Sequence, residues 1–205
     1  MSTTFDVFPS TESIPTFQQL LDRSTTELHR FLSSVDIDAR PSIRVRVQNK
    51  DGDQPIPLDL QSPLIWPDDK YAWFHVEDVP GGADAYFWPV DDLTLDCWRE
   101  LTEPPFKARE ELIWKCLDVG HYWNFRRSAG QPAIVSIAYG LIAASLAELT
   151  LGFVCSDDSA WDWERMPALP DEFFGWYFVP DLALGEDFRE WSTRCIASLR
   201  EELTA

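Results

Sequence analysis

Apolar residues first recur at helical spacing at Phe17, Leu20, Leu21, Leu28, Phe31 and Leu32, which predicts a helix from about Ile14 to Ser33 with Pro15 in its first turn. The period then shortens to two. Ile43, Val45 and Val47 alternate with Arg44 and Arg46, the pattern of a half-buried strand. Asn49 to Asp53 reads as a turn, with Asp51-Gly52 as the hairpin signal, and the proline-rich stretch Pro55 to Pro67 as extended chain with a short edge strand near Ile56 to Leu60. Tyr71 to Val76 and Ala85 to Trp88 predict two more strands, rich in aromatics and separated by Pro80-Gly81-Gly82.

Helical periods dominate afterwards. Thr94 to Leu101 predicts a short helix. Pro104 and Pro105 open a longer one, about Phe106 to Arg127, whose apolar positions include Ile113, Cys116, Leu117, Tyr122 and Trp123. Pro132 begins an apolar helix to Thr150, Gly152 to Cys155 is short and apolar, and Asp157 to Pro170 reads as an irregular acidic-aromatic loop. Asp171 is placed as the cap of a helix to Phe178, and Gly185 to Leu203 forms the last helix. Met1 to Ser13, rich in Ser and Thr, reads as a loose or edge segment. Strands in the N-terminal half and helices in the C-terminal half predict an α+β fold, an antiparallel sheet packed against helices. One domain over residues 1–205 is expected, and the loop near Glu103 to Pro105 is the best place for a boundary.

Composition adds a conflict to resolve. The 205 residues carry 35 acidic against 17 basic side chains, a formal charge of −18, yet include ten tryptophans and 45% hydrophobic residues. Acidic chains without aromatics tend to remain disordered, whereas this one has enough apolar surface to fold. The excess acid therefore belongs on the outside of a folded body. A basic protein is the matching partner, and free nucleic acid is not expected because the field repels a phosphate backbone. The apolar stretch Pro132 to Leu149 is interrupted by Ser136, Ser145 and Glu148 and reads as a core helix, not a membrane span. Met1 to Ser13 lacks the basic and apolar regions of a secretory signal, and Cys97, Cys116, Cys155 and Cys195 have no metal-ligand spacing. Reduced thiols in a cytoplasmic protein, with no cofactor, are expected.

Motifs for chemistry are sparse. Asn49-x-Asp51-Gly52 resembles part of a calcium loop, but the template would put Val47 and Leu58 at its first and last ligand positions, where no side-chain oxygen exists. Ser156 to Glu164 places four carboxylates and two indoles in nine residues. Three readings stand for it: a turn capped by Asp157 or Asp158 with the tryptophans in the core, a partner hot spot anchored by Trp161 and Trp163, or a site for a hard cation. His29, His75 and His121 lie in separate elements, with no nucleophile elbow, zincin, Walker or dinucleotide motif. Arg126 and Arg127, with Lys107, Arg109 and Lys115, are interleaved with Glu110, Glu111 and Asp118, which suggests ion pairs within the long helix.

Gly130 to Tyr177 carries a resemblance. Gln131-Pro132, Tyr139-Gly140, Ala147-Glu148-Leu149-Thr150, Gly152-Phe153, Ser156-Asp157-Asp158-x-Ala160-Trp161-Asp162, Leu169-Pro170-x-Glu172-Phe173 and Tyr177 resemble a module of the immunity proteins of bacterial polymorphic toxin systems. The match covers about a quarter of the chain. It implies a small cytoplasmic protein that binds and neutralises a cognate toxin and contributes no catalytic residues. The candidate partner-binding residues are the acids beside aromatics: Asp68, Asp69, Asp91, Asp92, Asp157, Asp158, Asp162 and Glu164, with Trp161 and Trp163. Two other classes remain open. One is a metal-assisted hydrolase using Asp157, Asp158, Asp162 or Glu164 with His121; the other is a structural or adaptor subunit docking through an apolar patch. Oligomeric state is left open by the sequence.

Overall fold

A computed structural model describes residues 2–51, 55–101, 104–156, 158 and 160–204, with residues 55 and 204 described by their backbone alone. The fold is α+β. Among the described residues, β1 (Thr3–Phe8), β2 (Ile43–Asn49), β3 (Pro55–Ile56), β4 (Lys70–Val76), β5 (Ala83–Pro89), β6 (His121–Arg127) and β7 (Phe153–Cys155) form one sheet in the order β3-β2-β4-β5-β6-β1-β7. Every adjacent pair is antiparallel. The helices are α1 (Phe17–Ser34), α2 (Asp92–Glu100), α3 (Pro104–Lys107), α4 (Glu110–Leu117), α5 (Ala133–Leu149), α6 (Pro170–Trp176) and α7 (Glu186–Thr204).

Local chemistry explains most boundaries. At the start of α1, the Gln19 N–H donates to Thr16 Oγ1 at 3.2 Å and Gln19 Oε1 accepts from the Thr16 N–H at 2.8 Å. This reciprocal pair satisfies two otherwise orphaned donors. The apolar stripe of α1 buries Phe17, Leu20, Leu21, Leu28 and Leu32. The apolar run from Ala133 to Ala147 is buried all round, so α5 is a central helix, touching α1, α6, α7 and four strands. Glu202 of α7 caps its N-terminus, accepting from the Ala133 and Ile134 N–H groups. Helix α6 starts at Pro170, one residue earlier than Asp171 was expected to cap it, and Glu172 accepts from the Leu169 N–H at 3.1 Å. The hairpin signal Asp51-Gly52 lies partly outside the described residues.

Two expectations are corrected. Thr3–Phe8 is no loose edge but an inner strand, paired with β6 on one side and β7 on the other. Its Phe5 and Val7 are fully buried, and alternation over so few residues is a weak signal next to the polar segment that follows. The single helix expected over Phe106 to Arg127 is instead α3, α4 and then β6. Gly120 stands at φ +85, where a glycine ends a helix without steric cost, and Tyr122, Trp123 and Phe125 beyond it suit a sheet. His121 therefore opens a strand. Arg126 pairs across the sheet with Asp84 at 2.7 Å, Arg109 reaches Glu172 at 2.6 Å, and Arg127 is buried; these cationic groups do not form the expected ion pairs within one helix.

The register sorts side chains onto two faces. Phe5, Val7, Ala72, Phe74, Ala85, Trp123 and Phe125 share the first, which packs on α5 and its neighbours. There Phe5 stacks on Tyr139 with ring centroids 4.8 Å apart and meets Phe173 edge-on. The second face carries Phe8, Tyr122 and Phe153 at the β1–β7 side, where Trp98 of α2 and Phe106 of α3 cover it. Over β2, β4, β5 and β6 its side chains are half-buried or exposed, apart from Gln48.

Candidate functional site

A groove of about 540 Å³ opens on the second face where α2 and α3 approach the segment after β7. Phe8, Trp98, Leu101, Phe106 and Met166 supply most of its apolar wall. Trp98 is wedged by rings on three sides: Phe8 at 5.2 Å, Phe153 at 5.6 Å and Phe106 at 5.8 Å. Trp163, 41% exposed, stands at the margin beside Glu164. Asp6 enters from β1 and accepts a hydrogen bond from Asn124 Nδ2 at 2.6 Å. Among the described residues, the lining contains two carboxylates and no lysine or arginine. A concave apolar wall with a few fixed polar groups is the usual form of a binding site.

The ten predicted partner-binding residues are distributed unevenly about this groove. Trp163 and Glu164 line it. Asp158 sits beside it, tied to the start of β1: Oδ1 accepts from the Thr4 N–H and Oδ2 from the Thr4 hydroxyl, each at 2.9 Å. Asp157 lies outside the described residues. Asp91 caps α2, accepting from the Thr94 N–H at 2.8 Å and the Thr94 hydroxyl at 2.7 Å. Those bonds hold its carboxyl below the usual range. Asp92 follows in the first turn, and Asp68 and Asp69 form the exposed turn entering β4. Since β5 ends where β4 begins, these four acids share one end of the sheet.

Trp161 and Asp162 are corrected as surface residues. Both are fully buried. Trp161 stacks on Phe178 at 4.8 Å and touches Phe188 and Trp191, joining the segment after β7 to α7. Asp162 occupies a left-handed conformation at φ 47, ion-paired with Arg165 at 3.2 Å and accepting from the Leu184 N–H at 3.3 Å. Burial raises its carboxyl above the ordinary value despite those partners. These two residues hold the groove's outer wall in place from behind.

Asp158 and His121 of the hydrolase alternative occupy separate places. Asp158 is bound to Thr4, which faces Arg126 across the sheet, while His121 lies five residues farther along β6, about 17 Å at strand rise. His121 packs against Phe87 at 5.1 Å and edge-on to Trp123 at 5.0 Å, and burial lowers its pKa. Among the described residues no three His, Cys, Asp or Glu side chains are grouped to hold a metal ion. Nor is any helix of the described residues long and apolar enough to cross a membrane.

The groove residues that sequence reasoning passed over are Asp6, Phe8, Trp98, Leu101, Phe106 and Met166. Asp6, Phe8, Trp98 and Phe106 lie in short elements and Leu101 and Met166 directly follow helical turns, and they meet only in the folded structure. No protein family, curated protein or solved structure matches the chain.

Proposed function

We propose that this protein is a non-enzymatic, cytoplasmic binding protein that neutralises a basic partner domain, a cognate bacterial toxin as the resemblance over residues 130–177 implies. The observation that carries this reading is the groove: an apolar cleft with Asp6 and Glu164 in its lining and no lysine or arginine there among the described residues. An apolar side chain of the partner fills the cleft against Trp98 and Phe106. An adjoining lysine or arginine meets Glu164. The exposed pairs Asp68-Asp69 and Asp91-Asp92 add to the negative field that speeds encounter with a basic surface, while burial in the cleft slows release.

Co-expression with the product of the adjacent gene, followed by isolation of the complex in 50 mM salt, tests the reading. Trp163→Ala is expected to weaken the complex roughly 30-fold, the loss of one hot-spot side chain worth about 2 kcal/mol. Glu164→Lys is expected to slow association more at low salt than at high. Circular dichroism checks that both variants remain folded. Absence of a complex at low salt, or unchanged affinity in both variants, overturns the proposal.

A further inference from the structure

The uncovered part of the second face runs against the charge of the chain. The register places Arg44 and Arg46 of β2, Tyr71 and Trp73 of β4, Asp84, Tyr86 and Trp88 of β5, and Arg126 of β6 on it. Arg44 is matched by Glu77 at 3.0 Å and Arg126 by Asp84 at 2.7 Å. Arg46 and Lys50 are exposed, and neither forms an ion pair with a carboxylate among the described residues. Their charges lie over aromatic rings instead. The Arg46 guanidinium is 6.0 Å from the Trp73 centroid, and Lys50 Nζ is 4.8 Å from Trp88 and 5.4 Å from Tyr86. Tyr86 stacks beside Trp88 at 5.9 Å and leans toward Tyr71 at 6.2 Å. In a body of formal charge −18, the open face of the sheet thus holds Arg46 and Lys50 over aromatic rings, with no carboxylate among the described residues paired to either, while Asp69, whose carbonyl accepts from the Lys50 N–H at 2.9 Å, borders the Lys50 end.

We infer that this face, with Arg46 and Lys50 over Tyr71, Trp73, Tyr86 and Trp88, binds a short stretch of single-stranded nucleic acid. Tyr71, Trp73, Tyr86 and Trp88 are half-buried; unpaired bases stack on aromatic rings of a sheet, each contact contributing about 1–3 kcal/mol, while flanking cations neutralise phosphates. Four strands span about 14 Å across, so the platform takes two or three bases. A self-dimer through this face would set like charges against each other. Rings arranged in a row favour planar bases over an acidic peptide, which would use the cations alone. The net charge repels a long duplex, whereas a strand of two or three bases reaches no farther than the rings and the two cations over them. The site lies apart from the groove, and its test needs no toxin.

Fluorescence anisotropy with a labelled ten-residue oligodeoxythymidine tests the inference on the whole chain. Saturable binding is expected at 50 mM salt. Neutralising two phosphates on a single strand gives a log–log salt slope of about −1.4, or roughly sevenfold weaker binding at 200 mM. Arg46→Ala should halve that slope. Trp88→Ala should weaken binding about tenfold with the slope unchanged, and Trp88→Phe, which keeps a ring, should restore most of it. Any of three results overturns the inference: no saturable binding at 50 mM salt; full binding by folded Trp73→Ala and Trp88→Ala; or competition by polyglutamate equal to that by unlabelled oligonucleotide, which would mark an acidic protein segment as the occupant.

Discussion

Gly140, in the middle of α5, is the position where one added methyl group should be felt most clearly. A Cβ there would lie 2.3 Å from both Cζ and the hydroxyl oxygen of Tyr177. The Tyr177 ring has little room to retreat. It stacks on Phe173 at 4.5 Å, meets Phe178 edge-on at 4.8 Å, and donates its hydroxyl to the Ser136 carbonyl at 3.0 Å. Two effects therefore compete in Gly140→Ala. Alanine favours the helix by about 1 kcal/mol. Against it, overpacking a filled core costs about 1–3 kcal/mol, and depriving a buried hydroxyl of its acceptor about 1–3 kcal/mol more. The net expectation is a loss of about 3 kcal/mol, which for a chain of this size lowers Tm by about 6–12 °C. Urea unfolding followed by tryptophan fluorescence at 25 °C measures it as a lower midpoint with an unchanged slope. In a Tyr177→Phe background the same substitution should still destabilise, because Cζ remains in the way. A midpoint equal to or above that of the unmodified protein would refute the argument and mean that the ring moves aside freely. Tyr139 and Tyr177 both pack on Phe5, so the crowding at Gly140 is felt at the centre of the core.

The other predictions concern the groove and the carboxylate behind it. Cys97 is exposed in the groove, whereas Cys155, also in its lining, is buried, as are Cys116 and Cys195, whose thiols burial pushes up to about 12 and about 11. Titration with a chromogenic disulfide should find one fast thiol per native chain, and the label on Cys97 should block partner binding; four fast thiols would refute the packing. Burial raises the Asp162 carboxyl, so its contribution to stability is full below the ordinary aspartate value near 3.8 and falls as pH rises through the raised one. Asp162→Asn should therefore gain in stability relative to the unmodified protein as pH increases from about 4 to 7. A difference that is flat or opposite in sign, read from urea midpoints, would show that the pair with Arg165 outweighs burial.

Much of the fold was legible in the chain. Alternation at Ile43, Val45 and Val47 marked β2, the stripe from Phe17 to Leu32 marked α1, and the unbroken apolar run after Pro132 marked α5, because each pattern is long enough for its period to be unambiguous. Residues His121–Arg127 were misread because aromatic residues after a helix fit either period over seven positions. Only pairing with β5 and β1 decides for a strand. Thr3–Phe8 was missed for the same reason, since its partners lie more than a hundred residues away.

The candidate site divides along the same line. Composition established a folded acidic body, because charge and apolar content are sums that do not depend on arrangement. Arrangement is what the tertiary structure decided. Trp161 and Trp163 are two residues apart in one acidic segment, yet one is buried among Phe178, Phe188 and Trp191 and the other stands at the groove. Phe8, Trp98, Phe106 and Met166 became one wall only when the sheet brought them together. Arg46 and Lys50, two cations in a chain of net charge −18, come to lie over aromatic rings of β4 and β5 only in the folded sheet. A sum of charges is a property of the chain, whereas the sign of the field at a given surface depends on which residues the fold places within a Debye length of it.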